Sequence, residues 1–267
     1  MIKALQKYNI KTNKILWLII FAVLVFYISI IISMFDPKSV KALNEMLEIL
    51  PESLIKALGF DVMSTELTTF IANYIYGFLI LVFPVIFTII INNRLIAKHV
   101  DNGSMSYLLT TPNSRSKFAF NQALFSITSI TLLIIAVTIT AIISSNLMFP
   151  NELNINKFIY LNIYTIILYF AISGIGFFSS CLFSETKHSL AVGAGVPIGF
   201  LILQMLGNAL DKTAWIKKLS IYGLFGPEEL LNNNYSFVVL SSIIFLILAI
   251  ILYTSAIITF KNKDLSI

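Results

Sequence analysis

Charged residues are scarce in this 267-residue chain, at 12% of the sequence against 58% hydrophobic residues. A soluble domain has about 25% charged residues, so a water-facing fold could not cover this much apolar surface. Glycine and proline are also few, at 11 and 7 residues, which argues against disorder. The one cysteine, Cys181, excludes an intramolecular disulfide and is expected to pack as a small hydrophobic side chain. The composition therefore indicates lipid as the solvent.

Six uncharged runs are each long enough to cross a bilayer core, which takes about 20 apolar residues. They cover residues 15–35, 67–91, 118–149, 158–183, 190–210 and 236–260. The expected fold class is all-α: a polytopic membrane protein with six transmembrane helices, in a single domain of residues 1–267. Six spans place both termini on the same side of the membrane.

The charges between these runs are unequally distributed. Segments 1–14, 92–117, 184–189 and 261–267 carry eleven basic and three acidic residues, a net +8, and the other segments carry seven basic and ten acidic residues, a net −3. By the positive-inside rule, the first set of segments and both termini are cytoplasmic. The lysines of residues 1–14 recur at helical spacing, which fits either a short interfacial helix before the first span or simple positive-inside signalling.

Several kinds of chemistry lack the residues they need. No Asp, Glu, Lys, Arg or His lies in the six runs, which makes proton coupling a poor fit, whereas sodium coupling through carbonyls and hydroxyls is excluded less firmly. The two histidines, His99 and His188, fall in separate loops, so neither a catalytic nor a metal-binding set is predicted. No Walker A pattern occurs either, so energy for active transport would have to come from a partner.

Two spans carry unusual side chains. In the fifth run Ala191, Gly195 and Gly199 repeat every four residues, a pattern that predicts close helix packing, within the bundle or at a dimer seam. The second run is rich in aromatic residues, which pack against lipid and neighbouring helices or form a hydrophobic translocation wall. The candidates for a substrate path are Tyr74, Phe78 and Phe83 in the second run and Gln204 and Asn208 in the fifth.

The segments on the opposite side differ in character. Residues 36–66 show helical spacing of apolar residues and predict helices lying over the outer mouth. Residues 211–235 are too short and too charged to span, and a Gly226-Pro227 break favours a re-entrant hairpin before the last span.

The largest loop on the positive side, residues 92–117, interrupts the apolar chain. Its first residues can continue the second helix, and Asp101-Asn102-Gly103 predicts a turn. Ser104 can then cap a short helix over residues 105–110, which Pro112 ends. The helix is expected to expose Met105, Tyr107, Leu108 and Leu109. Such a segment is either a docking knob for a soluble partner or an amphipathic helix resting on lipid.

The stretch HVDNGSMSYLLTTPNSR, from His99 to Arg115, resembles the cytoplasmic loop of ABC transporter type-2 permeases, and the ending FKNKDLSI resembles their usual C-terminus. His99-Val100-Asp101 departs from the resemblance, since that family often has more glutamates there.

The resemblance implies a half-transporter: two permease copies, identical or different, with two cytoplasmic ABC ATPase subunits that bind ATP and Mg. No cofactor is expected in this chain. The implied ATPase contacts of the main loop are Arg94, Lys98, His99, Asp101, Gly103, Ser104, Met105, Tyr107, Leu108, Leu109, Pro112 and Arg115. The N-terminal basic segment would be a second contact, and the short loop with Glu185, Lys187 and His188 a third.

Apolar and aromatic spans with few polar groups suit a hydrophobic or amphipathic cargo. The chain is similar in size to small Gram-positive exporters of amphipathic or antimicrobial peptides, including phenol-soluble modulins, and a bacterial plasma membrane is the expected location. Export of a lipid, drug or ion, a sodium- or gradient-driven carrier, and a non-transporting scaffold or membrane enzyme are the alternatives. The lipid bilayer is an expected partner, and nucleic acid is not.

Overall fold

A computed structural model describes residues 2–35, 66–109, 114–209 and 211–264 of the chain. For residues 2, 3, 107, 109 and 211–213 it describes the backbone alone. The helices predicted within residues 36–66 lie almost wholly outside the described residues, as do the Pro112 stop and the last three residues of the chain.

Helices account for nearly all of the described chain, which contains no strand, and six of them are long and apolar enough to cross a membrane. These spans are Ala4–Ser33, Leu67–Asp101, Arg115–Met148, Ile155–Leu182, Thr186–Ala209 and Tyr235–Asn262. They contain the six predicted runs to within two residues at each end, which confirms the all-α class with six spans. We number them first to sixth in chain order.

The first span belongs to one helix, Ile2–Ser33, that runs without a break. The separate interfacial helix predicted for residues 1–14 is therefore wrong as a distinct element. The physical reason is that no glycine or proline between residues 2 and 33 ends the helix. Asn9 and Asn13 on this segment are 2% and 5% exposed, so it packs within the bundle.

The second span is built from four pieces. It begins with the α-helix Leu67–Ile71, continues as a π-helix at Ala72–Leu79, and ends with the α-helices Ile80–Leu95 and Ala97–Asp101. The sequence does not predict the π-helical stretch, which widens the span near the end opposite the loop of residues 92–117.

A proline in the second span is accommodated by a tyrosine of the fourth. Pro84 has no N–H for the carbonyl of Ile80, four residues earlier. The Tyr169 hydroxyl donates to that carbonyl oxygen at 2.6 Å. The freed carbonyl is thus satisfied from a neighbouring helix, which is how membrane helices tolerate proline.

Hydrogen bonds identify the end of the bundle where the described residues 2–14, 92–109, 114–121, 181–189 and 261–264 meet, and we call it the basic end. Gln6 donates to the carbonyl of Asn121 at 3.1 Å, and Lys263 donates to the carbonyl of Cys181 at 3.1 Å. The segments that the sequence places on the positive side therefore meet at one end.

A buried network joins four spans. The Ser126 hydroxyl donates to Asn92 Oδ1 at 2.6 Å, and Asn92 Nδ2 lies 3.0 Å from both the carbonyl oxygen and the Oγ of Ser173. The Tyr253 hydroxyl completes the network with a 3.0 Å bond to Ser173 Oγ. A Cβ built at Gly176 would lie 3.2 Å from Asn92 Nδ2, so glycine at this position lets the second and fourth spans approach closely.

The small residues of the fifth span occupy two faces. A Cβ at Gly193 would lie 3.5 Å from the Cα of Gly176, so Gly193 packs against the fourth span. At Gly195 and Gly199 a Cβ would meet no described atom within 4 Å, and Ala191 is exposed. Of the two packing roles left open for this repeat, packing within the bundle is therefore wrong, because the repeat faces outward.

The segment after the fifth span runs back beside it. It contains the 3-10 helices Asp211–Leu219 and Ile221–Leu224 and the α-helix Pro227–Leu231. Ser220 donates to the carbonyl of Phe200 at 2.7 Å, and a Cβ at Gly207 would lie 2.6 Å from the backbone nitrogen of Lys217. This course is compatible with the predicted re-entrant hairpin.

Candidate functional site

The loop between the second and third spans has a glycine turn followed by a short helix, as predicted. Gly103 has a φ of 72°, and the helix Met105–Leu109 follows it. Asn102 Oδ1 accepts from the backbone N–H of Ser104 at 3.1 Å, a local bond that fixes the turn. We call the helix Met105–Leu109 the loop helix.

The hydroxyl of Ser104 bonds back toward the second span. It donates to Asn102 Oδ1 at 2.7 Å and lies 2.9 Å from His99 Nδ1. The His99 ring is also 6.2 Å from the ring of Tyr8, near the start of the first span. Ser104 therefore holds the turn against the end of the second span, where His99 lies beside the N-terminal helix.

The apolar side of the loop helix faces the bundle. Met105 is 3% exposed, and Leu108 is partly buried against the core. The prediction that Met105 is exposed is therefore wrong, because protein surface lies close enough to bury its side chain. The exposed side chains among the described residues of this loop are polar, and Lys98, Asp101 and Asn102 belong to them.

A cavity of about 730 Å³ separates the N-terminal helix from this loop. One wall is formed by Ala4, Leu5, Tyr8, Asn9, Thr12 and Asn13, and the other by Arg94, Lys98, His99, Asn102, Ser104, Leu108 and Phe118. Two of the three predicted contact segments, the N-terminal helix and the main loop, thus form a common surface.

Amide side chains connect this surface to the spans. The helix breaks at Ile96, whose φ is −133°, and the N–H of His99 bonds to Ile96 rather than to Leu95. Gln122 of the third span donates to the carbonyl of Leu95 at 3.1 Å, and Asn9 of the first span donates to Gln122 Oε1 at 2.6 Å. Two hydrogen bonds in series therefore connect the end of the second span to the third span and then to the first.

The short loop between the fourth and fifth spans borders the same region. A second cavity, of about 390 Å³, lies between it and the main loop, and Arg94, Lys98 and Asn102 line both cavities. His188 and Glu185 form an exposed pair at 3.3 Å, and Lys187 is exposed. All three predicted contact segments are consequently neighbours.

Basic residues at this end also stabilise helix termini. Arg115 donates to the carbonyl of Lys263 at 2.8 Å, and Lys263 donates to that of Cys181 at 3.1 Å. Carbonyls in the last turn of a helix lack partners within that helix, so these bonds satisfy the ends of the sixth and fourth spans. Partial burial lowers the pKa of Lys263 from its usual value. The structure thus gives Arg115 a role in holding the sixth span.

The five substrate-path candidates are not brought together. The ring of Tyr74 lies 4.6 Å from that of Phe70, the ring of Phe83 lies 5.7 Å from that of Tyr27, and Phe78 is partly buried. The two polar candidates, by contrast, lie in a cavity at the end opposite the basic end.

This opposite cavity has a volume of about 350 Å³ and lies between the π-helix, the fifth span and the external segment. Gln204 and Asn208 line it together with Asn73 and Tyr76 of the π-helix and with Glu228 and Glu229. Gln204 is 8% exposed, and its Oε1 has no hydrogen-bond partner among the described residues. The π-helix therefore lines a cavity that two of the predicted path residues, Gln204 and Asn208, share.

Sequence reasoning missed the amides that organise the basic end. Asn9, Asn13, Asn92 and Gln122 are all buried. Their signal in the sequence was weak, since each lies beside or within an apolar run and has a bonding partner on another helix.

Comparisons with protein-family models, with curated proteins and with solved structures give no match for this chain. The described residues contain no group of three or more His, Cys, Asp or Glu that could hold a metal ion. The class that the fold defines is a multi-pass α-helical membrane protein.

Proposed function

We propose that this chain is the membrane-spanning subunit of an ATP-driven exporter that resembles ABC transporter type-2 permeases and works with a separate ATPase. The observation that carries the proposal is the convergence of three segments at the basic end. The N-terminal helix, the main loop and the short loop after the fourth span border two cavities that share Arg94, Lys98 and Asn102. A partner seated there would contact all three segments at once.

The connections of this surface suit a mechanical coupling. The bonds from Gln122 to Leu95 and from Asn9 to Gln122 link the main loop to the first and third spans. Closure of ATPase subunits against the loop would therefore tilt several spans together. In this proposal the basic end faces the cytoplasm of a bacterium, and ATP and Mg bind to the partner alone.

The transport path would form with a second permease copy, identical or different. The outward repeat of Ala191, Gly195 and Gly199 supports this arrangement, because small residues let helices of two chains approach closely. The cavity with Gln204 and Asn208 would be the outer part of the path. Its amides and carboxylates beside apolar spans favour an amphipathic cargo, and our best candidate is an amphipathic or antimicrobial peptide or toxin.

A sodium-driven carrier is the second candidate, and the oxygen-rich network around Asn92 is the observation that bears on it. Ser126, Ser173 and Tyr253 supply hydroxyl oxygens in a buried position. These groups are engaged with one another at 2.6–3.0 Å, however, and this favours a structural role over ion coordination.

The proposal predicts that reversing one charge on the shared surface will release the ATPase. Lys98 is exposed and lines both cavities. In the proposed complex the ATPase surface facing Lys98 complements a positive charge, so Lys98→Glu would place two negative charges against each other. Like-charge contacts cost several kcal/mol, so we expect at least a roughly tenfold loss of co-purified ATPase. The measurement is affinity purification of the tagged chain from the cells that encode it, with ATP hydrolysis assayed in the eluate.

Lys218→Glu is the matched control, because Lys218 is an exposed lysine of the external segment. It should leave both the ATPase yield and the hydrolysis rate unchanged. The proposal fails if no P-loop ATPase accompanies the wild-type chain, or if both variants lose it equally.

A further inference from the structure

A groove of about 440 Å³ opens on the side of the bundle between the first and third spans, with the second span as its floor. Phe87 and Ile91 of the floor are 0% and 1% exposed. The rims carry large apolar side chains that remain exposed, with Leu18 at 54% and Leu132 at 60%. The groove therefore presents apolar surface to whatever lies beside the bundle.

The polarity of the groove changes along its length. Toward the basic end it is lined by Gln6, Asn13 and Lys14, and toward the middle of the bundle by Trp17 and Leu18. Lys14 is the last charged residue of the first span, since none occurs from residue 15 to residue 33. Lysine and tryptophan at this position are typical of the boundary between headgroups and acyl chains. The groove crosses that boundary.

The polar groups of the apolar half are already satisfied within the protein. The Trp17 indole donates to the carbonyl of Ser129 at 3.2 Å, and its ring stacks on Phe21 at 5.2 Å. Thr128 donates to the carbonyl of Leu124 at 2.8 Å. The Ser129 hydroxyl donates to the carbonyl of Ser126 at 3.0 Å, so the side-chain donors described in this half are all engaged and it offers mainly an aromatic ring and aliphatic carbon.

Three exposed lysines lie at or near the polar half, and one of them, Lys14, lines the groove. Lys7, Lys11 and Lys14 lie at helical spacing on one side of the first helix, and all three are exposed. No ion pair involving them occurs in the described part of the chain. A ligand that matches the groove must therefore be anionic at one end and apolar at the other.

We propose that this groove holds one anionic phospholipid of the leaflet at the basic end. Its phosphate lies at Lys14, with Lys7 and Lys11 nearby, and one acyl chain lies against Trp17, Leu18 and Leu132. The site is separate from the transport path and does not depend on the function proposed above. It would anchor the N-terminal helix, and with it one wall of the 730 Å³ cavity, to the membrane.

The test uses Trp17 as the reporter. The chain has two tryptophans, so Trp215→Phe leaves Trp17 as the only one, and Trp215 is 62% exposed and lines none of this groove. The full chain is reconstituted in phosphatidylcholine vesicles. One series contains increasing fractions of brominated phosphatidylglycerol, and a second contains increasing fractions of brominated phosphatidylcholine. A lysine near an anionic surface favours binding about fivefold. Brominated phosphatidylglycerol should therefore quench Trp17 with an affinity about fivefold higher than that of brominated phosphatidylcholine.

Three variants and one soluble competitor make the result specific. Lys14→Gln should bring the ratio of the phosphatidylglycerol affinity to the phosphatidylcholine affinity close to one. Lys261 is an exposed lysine at the same end outside the groove, so Lys261→Gln should not change this ratio. Thr128→Phe fills the groove from an exposed rim position and should reduce quenching by both lipids. Soluble glycerol phosphate should not relieve quenching.

Other outcomes would overturn the proposal. Equal quenching by the two lipids would show that the groove does not select an anion. Little quenching by either lipid would show that a second copy or a peptide covers Trp17, and relief by glycerol phosphate would identify a soluble phosphate as the ligand. Circular dichroism of each variant checks that the helices are intact.

Discussion

A Gly176→Leu variant is expected to lose about 3 kcal/mol of stability, or to fail to assemble, because its side chain would enter the contact between the second and fourth spans. Even the first carbon of that side chain would lie 3.2 Å from Asn92 Nδ2. The larger leucine would displace Asn92 from Ser126 and Ser173, which bond to it at 2.6 Å and 3.0 Å. Overpacking and the loss of buried hydrogen bonds therefore act together at one position.

Thermal unfolding of the purified chain in detergent measures this effect. A loss of about 3 kcal/mol corresponds to a Tm lower by roughly 10 °C for a chain of this size. Gly176→Ala, which adds only the first carbon, should fall between the wild type and the leucine variant. Ala22→Leu is the matched control, since Ala22 is an exposed small residue of the first span. An unchanged Tm in Gly176→Leu would contradict the close approach of the two spans.

The second large effect is expected from Gly103→Val, which should reduce cargo-stimulated ATP hydrolysis by the proposed exporter complex about tenfold. Gly103 has a φ of 72°, a conformation that costs other L residues about 1–2 kcal/mol and β-branched residues more. A strain of about 1.4 kcal/mol changes the population of the native turn about tenfold. The turn positions the loop helix, so its loss would displace Met105 and Leu108 from the bundle.

The surroundings of Gly103 allow backbone strain to be distinguished from steric collision as the cause of lost activity. A Cβ at this position would meet no described atom within 4 Å, so valine is harmful only through the backbone. Asparagine adopts positive φ readily, and Gly103→Asn should therefore retain nearly wild-type hydrolysis. The Tm of the bundle should be unchanged in the asparagine variant and should fall by at most about 5 °C in the valine variant, because the strain is about 1.4 kcal/mol. Equal activity of the two variants would show that the turn conformation does not matter for coupling.

The spans could be predicted from the sequence because the constraint on them is strong. Every backbone group in a bilayer core must be satisfied within the protein, so long apolar runs form helices whatever their neighbours are. The Asp101-Asn102-Gly103 turn and the helix after it were predictable for a similar reason, since asparagine and glycine satisfy local requirements of a turn.

The rest of the basic end could not be predicted, because partners on other helices determine it. Met105 belongs to a loop whose composition favours exposure, yet it is 3% exposed because the bundle lies against it. Gln122 is an uncharged polar residue near the start of the third run, and its role appears only when Leu95 and Asn9 are brought beside it. The continuity of the first helix is a local property by contrast, and the absence of glycine and proline from residues 2–33 was its signal.

Photo-crosslinking from residue 102 in living cells is the most direct test of a separate ATPase at the basic end. Asn102 is exposed and lines both cavities there, so a photoreactive amino acid in its place would touch a docked partner. The same amino acid at Asn232, an exposed position at the opposite end, is the control. The predicted result is a crosslinked product from residue 102, and not from residue 232, that contains a P-loop ATPase. Crosslinks from residue 102 to lipid alone, or the same ATPase captured from residue 232, would contradict the proposed function.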